Sequence, residues 1–98
     1  MTDLGALTAD DFEPLIGSEF HRTADDGYET SLRLVEVNRR ERRWQEREGF
    51  ALLFRDPGEI CLPQGLHPLR HESLGELEIF LVPVGRTDAG WEHEAVFT

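Results

Sequence analysis

Glycine and proline recur at near-regular intervals from Gly5 to Gly90, and most of the segments between them are short. That punctuation leaves little room for long helices and suits short strands joined by tight turns. Within the segments, apolar side chains fall at every second position. Phe50, Leu52 and Phe54 share one phase, as do Leu77, Ile79 and Leu81. Side chains of a strand alternate between its two faces, so this phase lays one side of each strand against a core.

The start of the chain is the exception. Thr8 reads as a helix N-cap followed by Asp10 and Asp11, whose carboxylates oppose the helix dipole. Phe12, Leu15 and Ile16 then recur at helical spacing, and Gly17 stops the run. With Pro14 inside it, the segment predicts a short helix over residues 8–16, about two turns long.

Strands are expected over 18–23, 28–38, 50–55, 66–71, 76–84 and 91–97, with Asp25-Asp26-Gly27 as a tight turn. Tyr28, Thr30, Leu32 and Leu34 lie in one phase, while Val35 and Val37 lie in the other. A period of two cannot slip in this way without an extra residue, which places a bulge near Leu34-Val35. Pro68 lacks an amide donor and confines its strand to an edge or a bulge. The expected fold is mainly β: a small antiparallel β-barrel or sandwich of about six strands with a short N-terminal helix. It forms a single domain over residues 1–98, with a β core over 18–98 interrupted by a charged loop over 39–48. Phe20, Leu32, Leu34, Phe50, Leu52, Phe54, Leu77, Ile79, Leu81 and Phe97 are the expected core.

Composition narrows the class. The 98 residues carry ten basic and twenty acidic side chains, a formal charge of −10, and every basic residue is arginine. Such a charge repels phosphate backbones and anionic lipid, so neither nucleic acid nor a membrane is an expected partner. No apolar run approaches the ~20 residues of a membrane-spanning helix. Met1 to Asp11 holds three Asp and no basic residue, unlike a secretory leader. The single cysteine, Cys61, excludes an internal disulfide and points to a reducing, cytoplasmic setting.

The run His71-Glu72-Ser73-Leu74-Gly75-Glu76-Leu77-Glu78-Ile79-Phe80-Leu81-Val82-Pro83-Val84-Gly85 carries a resemblance. Leu7-Thr8-Ala9-Asp10-Asp11-Phe12, Leu53-Phe54-Arg55, Leu62-Pro63-Gln64-Gly65 and Glu94-Ala95-Val96-Phe97 extend it over nearly the whole chain. Together they resemble a family of small bacterial domains of unknown function. The resemblance supplies no catalytic residues, and it implies neighbours similar to phage tail-collar or tail-fibre proteins. The charged insert over 39–48 departs from the family pattern.

The chemistry-bearing residues form no motif. The three serines lie in no Gly-x-Ser-x-Gly elbow, and no phosphate-cradling glycine loop is present. Cys61, between Ile60 and Leu62, reads as a small buried hydrophobe. His67 and His71 stand four apart, with His93 or Glu72 as a third metal ligand to be supplied from elsewhere. That spacing has meaning on a helix but not on a strand broken by Pro68, so hydrogen-bonded or surface roles are expected of these histidines and of His21. No bound metal and no cofactor are expected.

Two features point to a protein partner. The insert 39–48 holds Arg39, Arg40, Arg42, Arg43 and Trp44, residue types that anchor protein interfaces, and it is expected to contact an acidic protein surface although three Glu interrupt it. The strand over 76–84 turns apolar on its outer phase at Phe80, Val82 and Val84, where water ordinarily demands polar side chains. The N-terminal helix offers one cover for these residues, but two turns span only about 10–12 Å. The sequence thus predicts a non-catalytic binding or assembly module acting on an unknown protein or on itself, in line with an accessory role in a phage-tail-like particle. The alternative is a small-ligand barrel or weak enzyme with a histidine and carboxylate pocket.

Overall fold

The computed structural model describes residues 7–23, 27, 29–40, 49–57 and 62–97, with Arg40 described by its main chain alone. Cys61, Ile60, Tyr28 and the segment 41–48, with Arg42, Arg43 and Trp44, lie outside the described residues. One helical turn, α1 (Ala9–Phe12), runs into a 3-10 turn over Glu13–Leu15. The strands are β1 (Glu19–Thr23), β2 (Glu29–Arg40), β3 (Gly49–Asp56), β4 (Gly65–His71), β5 (Gly75–Thr87) and β6 (Gly90–Phe97). They close into an antiparallel barrel in the order β1-β2-β3-β6-β5-β4.

The helix forms where the capping residues demand it and is shorter than its apolar spacing suggests. The Thr8 amide donates to the Asp11 carboxylate at 2.8 Å, and the Thr8 hydroxyl donates to the same group at 3.2 Å. Pro14 is the second residue of the 3-10 turn, whose tighter winding ends the α-helical register after Phe12. Ile16 has already left the helix, with φ −58° and ψ 131°, and its side chain is 48% exposed. It therefore drops out of the stripe formed with Phe12 and Leu15. Phe12 is fully buried, 5.8 Å from Phe50 and 5.7 Å from Phe97, whose rings stack on each other at 4.6 Å. The helix thus plugs the end of the barrel where β3 and β6 pair Phe50 with Phe97. It does not cover the outer phase of β5.

Two long strands make closure work. β2 pairs with β1 over Glu29 to Arg33 and with β3 over Arg33 to Arg40. β5 pairs with β4 over Gly75 to Leu81 and with β6 over Val82 to Thr87. Each strand carries a register shift, at Leu34/Glu36 in β2 and at Pro83/Gly85 in β5. An inserted residue bends and twists a strand, letting one segment serve two neighbours in succession. The β2 bulge lies where the phase slip of Val35 and Val37 predicts it. β2 also runs further than expected: Arg39 and Arg40 pair with Phe50 and Gly49 as strand residues and are not part of a loop. Pro68 pairs with Glu78 of β5, while on its other side β4 meets β1 through a single pair, His21 with Arg70.

Nine of the ten expected core residues are buried, and Phe97 is half-buried within the aromatic plug. Phe12, Leu62, Leu69 and Ala95 join them. Gly90 holds a separate constraint. Its φ is +131°, and a Cβ there would stand 2.0 Å from the Asp56 carbonyl oxygen. Backbone conformation and space both require glycine.

Leu52, fully buried between Val37 and Ala95 on the flanking strands, is expected to cost about 2–5 kcal/mol when truncated to alanine. Leu66→Ala, at a residue 64% exposed, should stay within about 0.5 kcal/mol of wild type. Gly90→Ala should lower stability by at least about 1–3 kcal/mol through backbone strain. Urea denaturation midpoints check all three.

Candidate functional site

Four histidines occupy or border the barrel wall, and their hydrogen bonds fix what each can do. His67 is buried on β4. Its Nδ1 accepts from Arg22 Nε at 3.0 Å, which leaves the proton on Nε2 to donate to the Pro63 carbonyl at 2.7 Å. His93, fully buried on β6, accepts the Leu62 amide on Nε2 at 3.2 Å. These two rings therefore hold the successive residues Leu62 and Pro63 against the barrel. His71 accepts the Ser73 amide on Nδ1 at 2.9 Å, so its Nε2 donates to Ser18 Oγ at 2.9 Å. Ser18 directs its own proton to the Leu15 carbonyl. His71 also packs on Phe20, with ring centres 4.4 Å apart. His21 meets the Ser31 hydroxyl through Nδ1 at 3.1 Å.

This polarity is wrong for nucleophilic catalysis. A serine is activated when a ring lone pair faces its hydroxyl. Here the lone pair of His71 faces a backbone amide, and its N–H faces Ser18. Metal chemistry meets the same obstacle. A metal takes the imidazole lone pair, and in His67, His71 and His93 a protein N–H already uses it. Among the described residues no three His, Cys, Asp or Glu side chains come together in a way that could hold a metal ion. His67 and His71 share the inner phase of β4, but the sequence spacing does not bring them onto a common ligand.

Ser18, Glu19, His21, Arg70, His71 and Glu72 line an open depression of about 440 Å³. It brings two histidines and two carboxylates together, the composition expected of the alternative ligand-pocket reading. Its His71 ring, however, presents neither nitrogen to an incoming group.

The residues expected to meet a partner separate into two groups. Arg39 is exposed and reaches across the surface to the helix, bonded to Asp10 and, at 3.0 Å, to Glu13. It clamps the N-terminal turns to β2. Arg42, Arg43 and Trp44 fall outside the described residues, as does the Arg40 side chain. Phe80 and Val84 are 49% and 52% exposed, and Val82 is half-buried. Val84, in the same phase as Phe80 and Val82, is the extra residue of the β5 bulge. Sequence reasoning missed two members of this face. Leu66 stands directly across from Phe80 on β4, and Val96 lies two residues beyond Glu94, the partner of Val82 on β6. Both are exposed. The signal for Val96 lay in the phase Glu92, Glu94, Val96, which turns apolar at its last member just as the outer phase of β5 does.

Residues 7–97 match the family model described as a domain of unknown function, DUF6916. The chain belongs to that family. No curated protein and no solved structure matches it. Among the described residues of this DUF6916 domain, no helix is long and apolar enough to cross a membrane.

Burial holds His71 and His93 below the ordinary histidine value of 6.5. Both are then neutral in the folded chain at a pH where the unfolded chain has begun to bind protons. Stability is therefore full above pH 6.5 and falls as pH drops through the lowered folded values. Protonation also removes the acceptors that hold the Ser73 and Leu62 amides. Urea midpoints measured from pH 7.5 to pH 5 should decline, and His93→Gln, already lacking a titrating group, should flatten part of that slope.

Proposed function

We propose that this domain is a non-catalytic module that docks a separate protein on the outer face of β4, β5 and β6, centred on Phe80. The observation that carries the reading is where the exposed apolar side chains lie. Of the five large ones among the described residues, Leu66, Phe80, Val84 and Val96 belong to these three strands, and Ile16 alone lies elsewhere. A sheet face open to water is ordinarily polar, whereas clustered apolar side chains mark interaction sites. The barrel interior is filled by its own core, which argues against a ligand within it.

A charged second contact from residues 40–48 accords with this reading, since arginine and tryptophan favour interfaces. On the resemblance to domains with tail-collar neighbours, the module is a bacterial accessory to assembly of a phage-tail-like particle. A small-ligand reading draws support from the depression that joins His21 and His71. It stands second, because His71 is committed on both nitrogens.

The test is capture from native lysate by immobilised wild type, Phe80→Ser and Ile16→Ser. Wild type and Ile16→Ser should retain the same protein, and Phe80→Ser should lose it by roughly tenfold or more. Circular dichroism and urea melts establish that Phe80→Ser is folded. Equal capture by the folded variant overturns the reading.

A further inference from the structure

Resting on that docking reading, we infer that the partner presents an apolar anchor flanked by lysine or arginine. The positions around the centre of the face are acidic or uncharged. Glu78 precedes Phe80 by one pleat, Glu94 stands directly across from Val82, and Pro68 lies across from Glu78. Glu78 is exposed and makes no ion pair among the described residues. Glu92, further along β6, is already held by Arg55 at 2.8 Å. The cations flanking the face are Arg70 on β4, across from Glu76 and paired with Glu29 at 3.3 Å, and Arg86 beyond the β5 bulge, with its guanidinium 5.7 Å from the Trp91 ring centre.

Covering Phe80 draws the Glu78 carboxylate out of water. Removing a carboxylate from water without a counter-charge is costly, and a cation placed beside it turns the same step favourable. A wholly apolar partner would leave Glu78 buried and uncompensated, and an acidic one would repel it. A basic partner gains twice, by pairing at the rim and by steering toward a chain of net charge −10. The same charges disfavour a second copy of this chain. A twofold contact uses the same patch on both subunits, so it would set each acidic rim against its counterpart.

The experiment titrates labelled synthetic peptides against the whole chain and reads fluorescence anisotropy. One peptide holds a leucine and a tryptophan among lysines and arginines. A second replaces every cation with glutamate, and a third replaces the two apolar residues with serine. The basic apolar peptide should bind at least roughly tenfold tighter than either control and weaken as salt rises. Phe80→Ser should abolish that binding, and Glu78→Lys should weaken it while leaving the fold intact. Equal or tighter binding of the acidic peptide, or no binding of the basic one, overturns the inference. Lysate capture that still depends on Phe80 would then leave the docking reading standing, whereas capture independent of Phe80 removes both. Light scattering that shows wild-type self-association, lost in Phe80→Ser, would assign the face to a second copy and overturn the basic partner.

Discussion

Closure of the barrel rests on β2 and β5, each of which bends so that its two halves pair with different neighbours. An open six-stranded sheet has two free edges, and closing it takes strands that tilt and stagger against one another. The bulges at Leu34/Glu36 and Pro83/Gly85 remove that difficulty by re-aiming each strand midway. The consequences reach the whole molecule. The β2 bulge switches the inner phase from Leu32 and Leu34 to Val37, which keeps apolar side chains on the core through the bend. The β5 bulge leaves Val84 unpaired and follows the run of inner residues Leu77, Ile79 and Leu81.

The two ends of the barrel are closed by different chemistry. One end is aromatic, with Phe12 packed on Phe50 and Phe97 and the helix clamped by Arg39. The other is polar, where Arg22, His67 and His93 fasten Leu62 and Pro63. A buried imidazole is tolerable when its donor and acceptor both find partners, and neutral rings supply one of each. This pairing is met on both nitrogens of His67 and His71, while burial, which penalises the charged ring, holds His71 and His93 below the ordinary histidine value. It also withdraws those rings from chemistry, because a lone pair that accepts an amide is closed to a metal or a substrate proton. Among the described residues, the large exposed apolar side chains other than Ile16 lie on β4, β5 and β6.

Much of this was legible in the residues. Period-two spacing placed the strands and the inner faces, and the slip between Leu34 and Val35 located a bulge before any pairing was known. Thr8 and Asp11 announced the helix start. Other features had no local signature. The length of β2 was hidden because Arg39 and Arg40 look like solvated loop residues, and only pairing with Phe50 and Gly49 makes them strand. Leu69 and Leu62 sit beside prolines that obscured their phase. The histidines read as isolated, because Arg22, Ser18, Ser73 and the Leu62–Pro63 backbone meet them only through the fold.

The sequence by itself determined the class of structure: alternation of apolar side chains dictates strands with one buried face, and glycine and proline dictate where they turn. Tertiary structure decided what the short helix covers and which apolar residues remain outside. Phe12, Leu15 and Ile16 have the spacing to cover a sheet, and nothing local chooses between the outer face of β5 and the end of the barrel. The choice went to the barrel end, where Phe50 and Phe97 leave an aromatic site for the fully buried Phe12 and Arg39 adds surface ion pairs to Asp10 and Glu13. With the helix drawn there, Phe80 and Leu66 stay open to water. Long-range pairing set that exposure, and pairing is a property of the closed sheet that no single segment encodes.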